Sequence, residues 1–159
     1  MGSKRRLIII TVIIVFGLAV LISAILGGEK QEMEGLKGLS VEEIPGPVHN
    51  WLNRNNEHEG YGAFYSEGRL YLVAKLGQRP TGGYTVLLGD VQLGAQATVR
   101  VKEVAPKPWD IVIQVLTYPR TVAKIKCPEK PETVTFFSAA NSVIAKVTVE
   151  NLDTETGGE

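Results

Sequence analysis

From Leu7 to Leu26 the chain carries no charged side chain, and only Thr11, Gly17 and Ser23 break a run otherwise made of Ile, Val, Leu, Ala and Phe. At about 1.5 Å per residue, roughly 20 helical residues cross a hydrocarbon core of about 30 Å. The run therefore predicts a transmembrane helix. Lys4, Arg5 and Arg6 precede it, while Glu29, Glu32 and Glu34 follow with only Lys30 among them. The positive-inside rule then keeps residues 1–6 in the cytoplasm and sends everything after the helix outside. The expectation is a single-pass cell-membrane protein with an extracytoplasmic C-terminal domain, whose first partner is the bilayer. A cleaved signal peptide is the competing reading, but it needs an apolar region of about 7–15 residues and small residues at −3 and −1. Cleavage after Ala24 or Gly28 would set Ile22 or Leu26 at −3, so an uncleaved anchor fits better. Lipid anchors fit neither end of the problem: Cys127 is the only cysteine, and position six is Arg6 where myristoylation needs Ser or Thr.

What remains of the 159 residues suffices for one modest domain. Lys and Arg number 17 against 17 for Asp and Glu, with no basic stripe interleaved with aromatics, which argues against a nucleic-acid partner. A single cysteine permits no intrachain disulfide, so the core must hold without a covalent staple.

Residues 27–46 mix Gly, Glu, Lys and Gln without a sustained period and read as a solvated tether. The domain is expected over 47–150, and 151–159 reads as a disordered tail. After Pro45-Gly46-Pro47, the residues Val48, Trp51 and Leu52 fall on one face of a short helix that caps the sheet and ends near Asn55-Asn56. From Tyr61 onward, short runs rich in Val, Ile, Thr and Tyr alternate with Gly, Pro and Asp turns. Arg69–Leu76, apolar on both faces, predicts a central strand, preceded by a hairpin turn at Ser66-Glu67-Gly68. Further strands are expected at Tyr84–Leu88, Ala97–Lys102, Ile111–Val115, Thr121–Lys126, Glu132–Phe137 and Val143–Val149. About seven strands with short turns predict a mainly β fold, a small antiparallel sandwich or partly closed barrel.

Two loops have the composition of a contact surface. In Gln78-Arg79-Pro80-Thr81-Gly82-Gly83-Tyr84, proline fixes one φ and two glycines permit backbone angles other residues avoid, which makes a shaped loop rather than a flexible one. Pro106-Lys107-Pro108-Trp109-Asp110 is a second stiff loop presenting a large aromatic. If consecutive strands run up and down, these two and Pro128–Pro131 share one end of the domain. Stiff loops carrying Tyr, Trp and Arg lose little entropy on docking, so Arg79, Pro80, Thr81, Gly82, Gly83, Tyr84, Lys107, Pro108 and Trp109 are the candidate partner-binding residues. The competing reading has Trp109 folding back over the open end of the core, with the glycines serving only the turn.

Catalytic signatures are missing. Gly77 and Gly82 have the spacing of a phosphate loop, but Gly83-Tyr84 stand where Lys and Ser or Thr are required. No Gly-x-Ser-x-Gly or His-Glu-x-x-His occurs, and His49 and His58 have no third ligand at a metal-binding spacing. Cys127 shares a face with Thr121, Ala123 and Ile125 and reads as a small buried hydrophobe. The expectation is a non-enzyme with no metal and no cofactor.

Leu70–Tyr84, with its apolar strand leading to Gly77 and Pro80-Thr81-Gly82-Gly83-Tyr84, followed by Val99–Pro106 and Gln114-Val115-Leu116-Thr117-Tyr118-Pro119, resembles the PrcB C-terminal domain family over Val48 to Lys126. The family takes its name from an accessory subunit of a bacterial surface protease complex. The resemblance implies an extracytoplasmic, non-catalytic domain that assists or stabilises another surface protein, such as a protease. The chain departs from the namesake in having a helical anchor and no lipidation cysteine. A fainter likeness links Arg79–Tyr84 and Lys107–Trp109 to two loops of the chagasin-like cysteine-protease inhibitors; their middle Gly-x-Gly-Gly loop has no counterpart in Gly89–Gln96. An envelope sensor that binds a small ligand is a third reading, which an aromatic-lined pocket between the sheets would favour.

Overall fold

The structure is a computed structural model that describes residues 30–31 and 44–153. The expected membrane span at 7–26 lies outside the described residues; among these, no helix is long and apolar enough to cross a membrane. Among the described residues, nine strands and one helix follow in the order β1 (Lys30–Gln31), α1 (Gly46–Asn53), β2 (Glu59–Ser66), β3 (Arg69–Leu76), β4 (Thr85–Gln92), β5 (Gln96–Val104), β6 (Arg120–Lys126), β7 (Thr133–Phe137), β8 (Val143–Thr148) and β9 (Glu150–Asn151). They form two facing sheets, β1-β4-β5-β7-β8 and β6-β3-β2-β9. This is a sandwich, with no closed barrel.

The core lies where the inward faces of the sheets meet. Leu70, Leu72, Ala74 and Leu76 of β3 pack there with Val86, Leu88 and Val91 of β4, Val99 and Val101 of β5, Ile125 of β6 and the fully buried Phe136 of β7. Because side chains alternate along a strand, β3 turns Tyr71 and Val73 to the opposite face. Helix α1 covers that face: Val48 and Leu52 are buried against Phe64, Tyr71, Val73 and Val122, with Trp51 edge-on to Phe64 at 6.0 Å. The apolar character of β3 on both faces thus has its cause in a layer on each side. Lys75 also points to the helix side, where its ammonium donates to the carbonyls of Arg54 and Asn55 just past the helix and lies 4.6 Å from the Trp51 ring centroid. A cation over the last carbonyls of a helix satisfies acceptors that the helix itself cannot.

Turns follow the expected chemistry at the β2–β3 hairpin. Ser66 pairs with Arg69 across Glu67 and Gly68, whose φ values of 49° and 73° are those of the two-residue turn that matches strand twist.

The strand pattern differs from expectation in three places. Ile111–Val115 belongs to no strand; it lies in the connection 105–119, and Ile111 and Ile113 are exposed. The sandwich is also not wholly antiparallel, because β5 pairs parallel with β7 and β2 parallel with β9. Both corrections have one origin. With 111–115 not traversing the sheet, β6 starts at the end where β5 finished, so β7 rises alongside β5 in the same direction. At the chain ends, Lys30 and Gln31, expected in the tether, pair with Gln92 and Val91 of β4. At the other terminus, Asn151 pairs with Tyr65, Leu152 is buried under the helix layer, and the Ser66 hydroxyl donates to Asp153 at 2.7 Å. The first residues of the expected tail are therefore part of the fold.

Candidate functional site

The ends of β3, β5 and the starts of β4, β6 meet at one end of the sandwich, and two loops cover it. The first is 77–84. Gly77 has φ +72°, and a Cβ there would meet the Glu57 carbonyl at 2.7 Å, so only glycine lets the 57–58 segment cross it. Gln78 N–H donates to that same carbonyl at 3.1 Å.

Arg79 is anchored on three sides. Its Nε and Nη2 donate to the two carboxylate oxygens of Glu103 at 2.9 and 3.0 Å, and Nη1 donates to the Leu76 carbonyl at 2.7 Å. A two-pronged guanidinium–carboxylate contact fixes orientation as well as charge, so Arg79 holds the loop to the end of β5. Its backbone exchanges two hydrogen bonds with Thr117, at 2.8 and 3.0 Å. Pro80 is exposed, Thr81 is half-buried, and the Thr81 carbonyl accepts from the Thr117 hydroxyl at 2.7 Å. Gly82 is buried and donates its N–H to the Ile113 carbonyl at 2.9 Å. Gly83 has φ +85°, and a Cβ there would come within 2.9 Å of Val112 Cγ1 and 3.0 Å of Pro106. Tyr84 is half-buried, its ring 6.0 Å from the Arg79 guanidinium.

The second loop, 105–119, lies as an arm over those glycines. Its first part is a tight turn: Asp110 N–H donates to the Lys107 carbonyl at 3.0 Å, and the Asp110 carboxylate accepts from Lys107 N–H at 2.8 Å. Pro108 presets the turn's first central φ, and Trp109 occupies the second position. Trp109 is 75% exposed, with Lys107 Nζ 5.7 Å from its ring centroid, so it does not close over the core.

All nine candidate residues thus sit at one end. Pro128–Pro131 does not join them: Cys127 N–H donates to Gly68 and Glu132 N–H to Ala95, which places that loop beside the hairpins at the opposite end. The same is true of the connection between β4 and β5, which falls within Gly89–Gln96. That segment does not supply the middle loop of a chagasin-like wedge.

Sequence reasoning missed the arm beyond Trp109. Ile111 is fully exposed, Ile113 is 66% exposed, and Val115 and Leu116 expose more than half of their surfaces. Their alternation is that of a strand, and the signal against one lies in the flanks. Pro106, Pro108 and Pro119 bracket the segment and remove ladder donors on both sides.

Among the described residues no group of three or more His, Cys, Asp or Glu could hold a metal ion. His49 lies on α1 with Asn53 at 3.2 Å, and the Cys127 thiol, raised in pKa chiefly by burial, donates to the Glu129 carbonyl at 3.0 Å.

The β3 strand, the Pro80–Tyr84 turn, the β4–β5 hairpin, the arm and β6 form one continuous unit, and that unit decides the comparison with known families. Residues 70–126 match the PrcB C-terminal family. The likeness drawn from the sequence is borne out over that segment, which contains every candidate residue and both strands that the arm connects. No curated protein and no solved structure matches the chain.

Proposed function

We propose that the chain is a membrane-anchored, non-catalytic, extracytoplasmic protein-binding module, an accessory or stabilising subunit of a surface protease complex. The observation that carries this reading is the exposed apolar cluster at the loop end, Trp109 with Ile111, Ile113, Val115, Leu116 and Tyr118. Exposed apolar patches of this kind, supported on a rigid frame, mark interaction surfaces. Here the frame is the Arg79–Glu103 pair and the backbone bonds from Arg79 and Gly82 to the arm. The PrcB C-terminal match over 70–126 supports association with a protease complex.

Topology supports a protein partner over the bilayer as the target of this surface. The expected anchor ends at Leu26, and Lys30 pairs with Gln92, at the end of the sandwich opposite the arm. The loop end then faces away from the membrane that holds the domain. An exposed aromatic at a loop tip favours a protein partner over a small ligand held between the sheets, where Phe136 and its neighbours fill the space.

A crosslinking pull-down from membranes tests this reading. The intact protein is compared with a Tyr84→Ala, Trp109→Ala double variant whose fold is verified by circular dichroism. One dominant surface protein should be recovered with the intact chain and reduced at least tenfold with the variant. The same recovery from both would remove the loop end as the binding surface.

A further inference from the structure

The arm has no ladder of its own. The amides of Ile111 through Leu116 donate to no group among the described residues, and the Val112 carbonyl accepts only a 3.4 Å contact from its own neighbour's Gln114 side chain. Asp110 to Gln114 runs without a turn or bend, and the chain bends at Val115. The Ile113 carbonyl faces the 77–84 loop, where Gly82 donates to it. Backbone groups of successive residues in an extended chain face opposite edges, so those of Val112 and Gln114 face outward. Unpaired strand edges with alternating apolar side chains are templates for another strand.

We propose that the strand that fills this edge is the same segment of a second copy, so that the arm is a homodimer contact. Three features favour a copy. From Ile111 to Pro119 the arm carries no charge, so an antiparallel copy meets no like-charge repulsion. One register satisfies both backbone and side chains: Val112 opposite Gln114, Ile111 opposite Val115, and Ile113 opposite itself. That register puts the outward-facing backbone groups of Val112 and Gln114 into hydrogen-bonded pairs and sets Ile111, Ile113 and Val115 against apolar side chains. Finally, aromatic side chains present roughly 150–250 Å² each and aliphatic ones somewhat less, so the exposed fractions from Trp109 to Tyr118 amount to on the order of 700 Å². One side of a standard interface buries about 800 Å². The contact shares the arm with the client surface proposed above, and the two are told apart by register: a client protein gives no disulfide between two copies of the chain.

Disulfide trapping of the full chain in its membrane tests the register. Directly opposed residues in a non-hydrogen-bonded pair have Cα atoms about 4.5 Å apart, within disulfide range. Ile113→Cys should give a disulfide-linked dimer in most of the protein on mild oxidation. Ile111→Cys alone should give at least fivefold less, and Ile111→Cys with Val115→Cys should restore it. Adding Ile111→Lys and Val115→Lys to the Ile113→Cys chain should abolish the dimer while circular dichroism is unchanged. The proposal is overturned by no Ile113→Cys dimer, by equal yields from a Leu87→Cys control on the outer face of β4, or by a dimer that survives the lysines.

Discussion

Tyr61 packs its ring on Phe136, with centroids 5.1 Å apart, and its hydroxyl donates to the Glu59 carboxylate. Burial first, then the hydrogen bond and charge of Glu59, push the phenol well above its ordinary value. In the unfolded chain the phenol releases its proton near pH 10, before the folded protein does, so stability contributed by Tyr61 is fully present below pH 10 and is lost as pH rises above it. Lys75 acts in the opposite sense. Burial, with a smaller contribution from Arg120, lowers its pKa, so its charging penalty is relieved as pH climbs toward 10.5. Tyr61→Phe separates the two. Between pH 9 and 11.5, urea midpoints of the parent should fall more steeply than those of the variant; parallel curves would show that Tyr61 contributes no pH dependence.

At the scale of elements, the loop end depends on the fit between a glycine turn and the arm laid on it. Gly83→Ala places a side chain at φ +85°, which costs roughly 1–2 kcal/mol, and its methyl meets Val112 and Pro106. The expected outcome is faster hydrogen exchange at the bonded amides of Arg79, Gly82 and Thr117, which tie the turn to the arm, with β2, β3 and β6 unchanged. Uniform acceleration across the sheets would show that the arm is not a separate unit. This is also where legibility ended. Arg69–Leu76 could be read to the residue because a run apolar on both faces has few alternatives to a central strand, and the helix face of Val48, Trp51 and Leu52 was equally plain. Ile111–Val115 alternates as well as any strand, but alternation says nothing of whether a neighbour exists to pair with it. Its prolines and its closeness to Gly82 and Gly83 decide that, and the second is a contact between distant parts of the chain.

Across the whole molecule, the misread arm changed the count of traverses and with it the end at which each later loop emerges. Pro128–Pro131 was expected beside Trp109 and lies at the far end for that reason alone. The glycine turn and the Pro108-Trp109 turn stayed together, because each follows directly from strands that the sequence marked well. The sandwich thus has two unlike ends: one leads through β1 toward the expected anchor, and the other carries Trp109 and the arm. Site-specific photocrosslinking in intact membranes compares them most directly. A photoreactive side chain is placed at Trp109 in one chain and at Glu67, in the hairpin at the opposite end, in another. The binding module described above requires one dominant crosslinked protein, other than a second copy of the chain, from position 109 and none of that species from position 67. The same product from both positions, or none from 109, would contradict it.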